Sequence, residues 1–177
     1  KQGLVSEETI TEAVVRVLTT RFKLGMFDPP SMVPLAETPY ELNDAEDHRR
    51  LALEAAVKSM VLLKNENGLL PLDKSKIRTI AVIGPNADNK RVLLGNYHGT
   101  PSKYVTALTG IREAAGPSIN VLYAEGCELD VTWVSFWGKG ANAGFTEAVA
   151  AAERADVAVV CLGLSPELEG EEGDAKP

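Results

Sequence analysis

Two apolar runs, Thr79–Gly84 (TIAVIG) and Val157–Leu164 (VAVVCLGL), lack the in–out alternation of a strand wetted on one face. Strands of this kind are buried on both sides, which calls for helices above and below a parallel sheet. The intervening sequence supplies them. Val105–Ala115 reads as a short helix, Asn120–Ala124 (NVLYA) as a strand and Phe145–Ala155 as an alanine-rich helix. Strands alternating with helices are the pattern of βαβ units, so the fold class is α/β, the opening part of an α/β sandwich. The three strands are fewer than the roughly 4–6 of a typical sheet, so the sheet reads as one continued elsewhere.

The upstream sequence is different. Ser6–Leu24 carries apolar residues at helical spacing (Ile10, Val14, Val17, Leu18), with Ser6 as N-cap, Glu7 and Glu8 in the first turn and Gly25 just past the end. Its amphipathic pattern predicts packing against another element. Pro29, Pro30, Pro34 and Pro39 then interrupt any ladder, because proline lacks the amide donor, and residues 26–43 read as a linker. Asp44–Lys64 is predicted as a helix capped by Asp44, with Leu51, Ala55, Ala56, Met60 and Leu63 along its apolar stripe and Asn65–Gly68 ending it. The expected organisation is therefore residues 1–25, 26–43 and 44–177.

Composition excludes several classes. A net charge of −7 and the lack of any Lys/Arg cluster argue against nucleic-acid binding. No apolar run approaches the roughly 20 residues that span a bilayer, and the first residues carry no signal-peptide core. Cys127 and Cys161 form no CxxC, and with only His48 and His98 available a structural zinc site lacks ligands. Buried apolar thiols are the simpler reading, with a disulfide left open. No catalytic Ser-His-Asp order or P-loop is present.

Chemistry is then sought in the loops. The turn after the first strand, Gly84–Asn89 (GPNADN), lacks the later glycines of a dinucleotide fingerprint, and Pro85 removes a donor. It reads as a βα turn in which Asn86 and Asp88 satisfy backbone amides. The next loop, Leu94–Tyr104 (LGNYHGTPSKY), joins an amide, Asn96, to Tyr97 and His98, groups suited to stacking on a sugar face and bonding its hydroxyls. Trp133, Phe136 and Trp137 form either a pocket wall or a hydrophobic cluster under a loop. After the last apolar run, Glu167, Glu169, Glu171, Glu172 and Asp174 crowd together with Gly170 and Gly173 between them. Carboxylates held close disfavour one another's ionisation, which suits acid/base chemistry or hydroxyl binding at a sheet rim. A solvated charged turn is the plainer alternative, and a glycine-hinged lid a third.

Six stretches in order also resemble glycoside hydrolase family 3. They are RVLTTRFKLGMFD (Arg16–Asp28), VLLKNENGLLPL (Val61–Leu72), IAVIGPNAD (Ile80–Asp88), LLGNYHGTPS (Leu93–Ser102), YAEGCEL (Tyr123–Leu129) and ADVAVVCLGLSPELEGEEGD (Ala155–Asp174). The GNYHGTPS and LSPELEGEEGD stretches are closest to a bacterial β-xylosidase-like branch. The resemblance implies a (β/α) barrel whose last helix is residues 1–25, a linker, and the first part of the sandwich domain, with the active site between barrel and sandwich.

It further implies a retaining exo-β-glycosidase acting on terminal β-D-xylosyl or β-D-glucosyl residues, with the nucleophilic aspartate on the barrel, upstream of this chain's first residue. No aspartate here matches that motif, so the chain alone is expected to be inactive. By spacing, Glu169 is the nearest match to the acid/base of one branch, whereas in many β-xylosidase-like members that residue lies further downstream. Glu167, Tyr97, Asn96 and His98 are the implied sugar contacts. No cofactor or metal is implied. The expected partners are the rest of the same enzyme and an oligosaccharide, with a homodimer left open, and neither nucleic acid nor membrane. A periplasmic or secreted location fits the resemblance better than a cytoplasmic one. A nick in the acidic loop, leaving associated halves, would account for an end at Pro177. The rival readings are a non-catalytic carbohydrate-binding or regulatory module of the same fold, and a purely structural sandwich.

Overall fold

The computed structural model describes residues 3–95, 97–129, 142–166 and 169. By its internal contacts the chain divides into two compact units, Lys1–Met60 and Val61–Pro177.

The first unit is helical. Helix α1 (Glu7–Lys23) begins as predicted, with the Ser6 hydroxyl accepting from Thr9 N. It ends in a Schellman motif: Gly25 N donates to Phe22 O, Met26 N donates to Arg21 O, and Gly25 takes φ +69°. The proline-rich segment contains only 3₁₀ turns, Pro30–Met32 and Tyr40–Leu42. Helix α2 (Glu46–Ser59) is shorter than the sequence pattern predicts. Asp44 is not its cap. Asp44 adopts φ +56° and its Oδ1 accepts from Arg49 Nε at 3.0 Å, while Ala45 stands at the N-cap without a side-chain bond. The helix stops where Met60 turns extended (ψ 133°), so Met60 and Leu63 leave the stripe. Ile10, Val17 and Leu51 remain about half exposed or more (54%, 54% and 64%), and neither helix has a buried residue.

The second unit is the predicted α/β layer. Strands β1 (Thr79–Ile83), β2 (Asn120–Ala124) and β3 (Val157–Val160) form one parallel sheet in the order β2-β1-β3. The register pairs Ile80 with Val121 and Val157, and Ile83 with Ala124 and Val160. Helix α3 (Ala107–Ala115) connects β1 to β2, and α4 (Phe145–Glu153) precedes β3. The central strand is the driest, with Ala81 and Val82 fully buried. Ile80 and Val82 pack with Leu108 and Ala115 of α3 and with Ile119, supported by Val159 and Cys161. Strand β3 ends four residues before the predicted Leu164, for a reason set by its partner: β1 turns away after Gly84, and among the described residues beyond Val160 only the Cys161 amide finds an acceptor on it, Ile83 O at 2.7 Å.

Side chains that the hydrophobic pattern does not reveal tie this layer together. Asp156 Oδ2 accepts from Arg78 N (2.8 Å) and Thr79 N (2.9 Å), pinning the starts of β1 and β3 together. Lys74 Nζ donates to Ala114 O, a terminal carbonyl of α3, where the helix dipole favours a cation. Asn65 bonds both backbone groups of Leu70, closing a turn in the segment that the sequence pattern assigns to the end of a helix.

Candidate active-site edge

In a parallel sheet, loops at the carboxyl ends of adjacent strands diverge where successive connections leave to opposite sides, and the crevice they leave is the usual ligand site. The order β2-β1-β3 places that point between β1 and β3. Two loops emerge there: the turn after Ile83 and the segment after Val160.

The turn after β1 is built for close approach. Gly84 has φ +125°, and a Cβ on it would lie 2.0 Å from Cys161 O, so only glycine lets the two chains meet. Ala87 is fully buried, and its carbonyl accepts from Leu108 N, tying the turn to the start of α3. The Thr106 hydroxyl donates to Asp88 Oδ1 (2.8 Å) and accepts from Thr109 N as the N-cap of α3. Asp88 therefore serves a buried hydroxyl rather than the backbone amide expected of it. The Asp88–Thr106 bond clasps the base of loop 89–105, and Lys90 Nζ lies 5.6 Å from the centre of the Tyr104 ring across the same neck.

Tyr97 and His98 project from this clasped loop. Tyr97 is 83% exposed, with φ +48°; His98 is exposed, with Nδ1 bonded to Gly99 O at 2.8 Å. Glu169 is exposed on the other loop, and its amide donates to Ser165 O at 2.9 Å. Glu167 and Asn96 lie outside the described residues, as do Trp133, Phe136, Trp137, Glu171, Glu172 and Asp174. Tyr97 and His98 thus lie on the loop that follows β1, and Glu169 on the segment that follows β3. A hydrogen bond between the turn after β1 and the segment after β3 comes from a residue not singled out for the site: Asn86 Nδ2 donates to Leu164 O at 3.2 Å. Asn86 was expected to satisfy a backbone amide; it reaches a carbonyl 78 positions away instead.

Two concavities border this edge. One, of about 400 Å³, runs between Asp88, Asn89 and Lys90 on one side and Tyr123 and Glu125 on the other. Burial, and then the charges of Glu125 and Asp88, push the Tyr123 phenol above its ordinary pKa, so it stays a proton donor. The other, of about 270 Å³, is lined by Glu125, Cys127, Glu128 and Glu147. The sequence reading missed these acids because they are spread over two segments and form no run. Cys127 and Cys161 are free, half-buried thiols, and burial raises the Cys161 pKa. Among the described residues no three His, Cys, Asp or Glu side chains are grouped to hold a metal, and no helix is long and apolar enough to cross a membrane.

The family model for the glycosyl hydrolase family 3 C-terminal domain matches residues 60–177. The chain belongs to glycoside hydrolase family 3. It is 42% identical over 172 residues to a protein of Formosa agariphila named beta-xylosidase, an alignment covering 93% of this chain and 22% of that protein. It is 39% identical to a Medicago sativa protein named beta-xylosidase/alpha-L-arabinofuranosidase 1, over 98% of this chain and 21% of that one. Among solved structures, a family 3 exo-beta-xylosidase in complex with a xylobiose aziridine probe superposes with a TM-score of 0.74 at 34% identity, covering 93% of this chain and 20% of that one. A beta-glucosidase from Listeria innocua in complex with isofagomine gives 0.70 at 32% identity, covering 97% and 22%. The chain spans about a fifth of the length of the curated relatives it matches.

Proposed function

We propose that this family 3 chain forms one wall of the active-site cleft of a retaining exo-β-glycosidase that removes terminal β-D-xylosyl or β-D-glucosyl residues from oligosaccharides. The observation that carries the reading is the alignment of 93% of the chain with a protein named beta-xylosidase. The carboxyl-edge loops bearing Tyr97, His98 and Glu169 agree with it. In this reading residues 1–25 are the closing helix of a barrel, residues 26–43 the linker and residues 44–177 the start of the sandwich domain. The nucleophile sits on the barrel, outside this chain, about 5 Å from the acid/base carboxyl, the separation that a covalent glycosyl intermediate requires. Tyr97 and His98 face the sugar with Asn96 and Glu167, and Glu169 bonds the sugar or donates the proton.

The test compares xylose and glucose release from xylobiose, cellobiose and activated aryl glycosides by the chain alone and by the chain joined to a family 3 barrel. Hydrolysis only by the joined protein is expected. Turnover by the chain alone, or sugar binding without hydrolysis by the joined protein, overturns the reading; the second result selects the binding-module alternative. Glu169→Gln then assigns the carboxyl. A loss of about 10²–10⁴-fold in kcat/KM on xylobiose, with kcat/KM for an activated aryl xyloside spared, identifies a proton donor. A raised KM on both substrates identifies a sugar contact, and no change on either removes Glu169 from the site.

A further inference from the structure

We propose that Asn86 is a positioning residue, the tether by which the turn after β1 fixes the Glu169 loop. The inference rests on the reading of Glu169 as a sugar-facing group. The loop after β3 departs from the sheet at Cys161, whose amide makes its bond to Ile83 O. Beyond that point its link to β1 is the Asn86 amide. Nδ2 donates to Leu164 O, and Gly163 lies against the same group, with a Cβ on it falling 3.4 Å from Nδ2. Ser165, the next residue, is 96% buried by its 4% exposure and accepts the Glu169 amide. The path from β1 to Glu169 is therefore short: the Asn86 side chain, the backbone of Leu164 and Ser165, then one hydrogen bond.

The rest of the Asn86 amide argues that this single bond is the reason for an asparagine here. Its Oδ1 is buried and makes no hydrogen bond among the described residues, and neither does Ser165 Oγ. A buried acceptor without a partner opposes folding. An asparagine chosen for stability alone would use both ends of its amide. This one uses the end that holds the loop.

The two roles separate experimentally, because loss of a merely stabilising residue lowers stability, whereas loss of a tether frees the loop. Asn86→Asp keeps the shape but faces Leu164 O with a carboxylate, which cannot donate to it; once protonated, the introduced carboxyl can. In the joined protein, hydrogen-exchange mass spectrometry is expected to show the peptide that holds the Glu169 amide exchanging about fivefold faster in Asn86→Asp and Asn86→Ala at pH 7, after correction for intrinsic rates, with the urea midpoint little changed. Lowering the pH to about 4, near the ordinary aspartate value, is expected to restore part of the protection in Asn86→Asp and none in Asn86→Ala. Because one folded protein is compared at two pH values, a folding defect cannot imitate that recovery. In the joined hydrolase, kcat/KM for xylobiose is expected to fall about tenfold in both variants at neutral pH. Unchanged Glu169 exchange at neutral pH, or equal exchange by the two variants at low pH, overturns the tether. An inactive joined wild type refutes the glycosidase reading and leaves the exchange result to decide the tether.

Discussion

At the scale of single residues, Asp156 shows how one carboxylate sets the register of a parallel pair. A parallel sheet has no hairpin to fix which residues face each other, so the alignment of β1 with β3 must come from packing and from anchors. Asp156 precedes β3 and binds the first two amides of the β1 segment, Arg78 N and Thr79 N, while its own amide donates to Thr79 O. Those two backbone bonds, Arg78 N first, hold its pKa below the ordinary carboxylate value. The sign of the linkage follows. A group whose folded pKa is depressed adds stability above its unfolded pKa, about 3.9 for aspartate, and loses that contribution as pH falls through the lower folded value. Asp73, lowered by its bonds from Ser75, acts in the same direction. Asp156→Asn is therefore expected to lower the urea midpoint at pH 7 and to shrink the difference between pH 7 and pH 3. Wild type and variant with parallel midpoint-versus-pH curves would show that the carboxylate does not contribute in this way.

At the scale of elements, helix α3 couples the core to the site. Leu108, 1% exposed, anchors it against Ile80 and Val82, and Thr106 begins it. The Thr106 hydroxyl performs two tasks at once, as cap for Thr109 N and as donor to Asp88, so helix start and loop base share one atom. Thr106→Val keeps the shape and removes these bonds together with the hydroxyl's contact to Thr109 Oγ1. It is expected to cost about 1–2 kcal/mol in urea unfolding. It should also speed amide exchange within loop 89–105 while leaving β2 and β3 protected. Unaltered exchange in that loop would show that the clasp does not hold it.

Much of this level was legible beforehand. All three strands, α3 and α4 follow from apolar runs and alanine-rich spacing, and the Ser6 cap and Gly25 stop follow from local chemistry. The errors lie where a specific side-chain partner, near or far along the chain, decides. Asp44 has the chemistry of a cap, but Arg49 captures it. The apolar run after Val160 continues in composition, yet the strand ends because β1 has turned at Gly84. Asn86 and Asp88 read as local turn formers because no sequence window shows Leu164 or Thr106 beside them. The acidic run around Glu169 was visible as composition, whereas Glu125, Glu128 and Glu147 meet only after folding.

At the scale of the whole molecule, the most telling feature is apolar surface left open. On α1, Ile10, Val17 and Phe22 are 54%, 54% and 64% exposed; on α2, Leu51, Leu53 and Val57 are 64%, 65% and 58% exposed; after β3, Leu162 and Leu164 are 69% and 62% exposed. Single exposed leucines are ordinary, but these recur along α1, along α2 and after β3, and apolar exposure repeated within an element marks a face that associates. Among the described residues strand β3 has one edge without a strand partner, with Val160 56% exposed, a template for further strand pairing. The net charge of −7 opposes indiscriminate aggregation by repulsion and does not cover the patches. The isolated chain is accordingly expected to enhance the fluorescence of an apolar dye and to sediment as a concentration-dependent mixture of species. Joining it to the remaining sequence of a family 3 relative should abolish the dye signal and give one species, because the same side chains then become interior. A monodisperse chain with no dye enhancement would mean that these faces do not seek a partner. A joined protein that still binds the dye would mean that the added sequence covers some other surface.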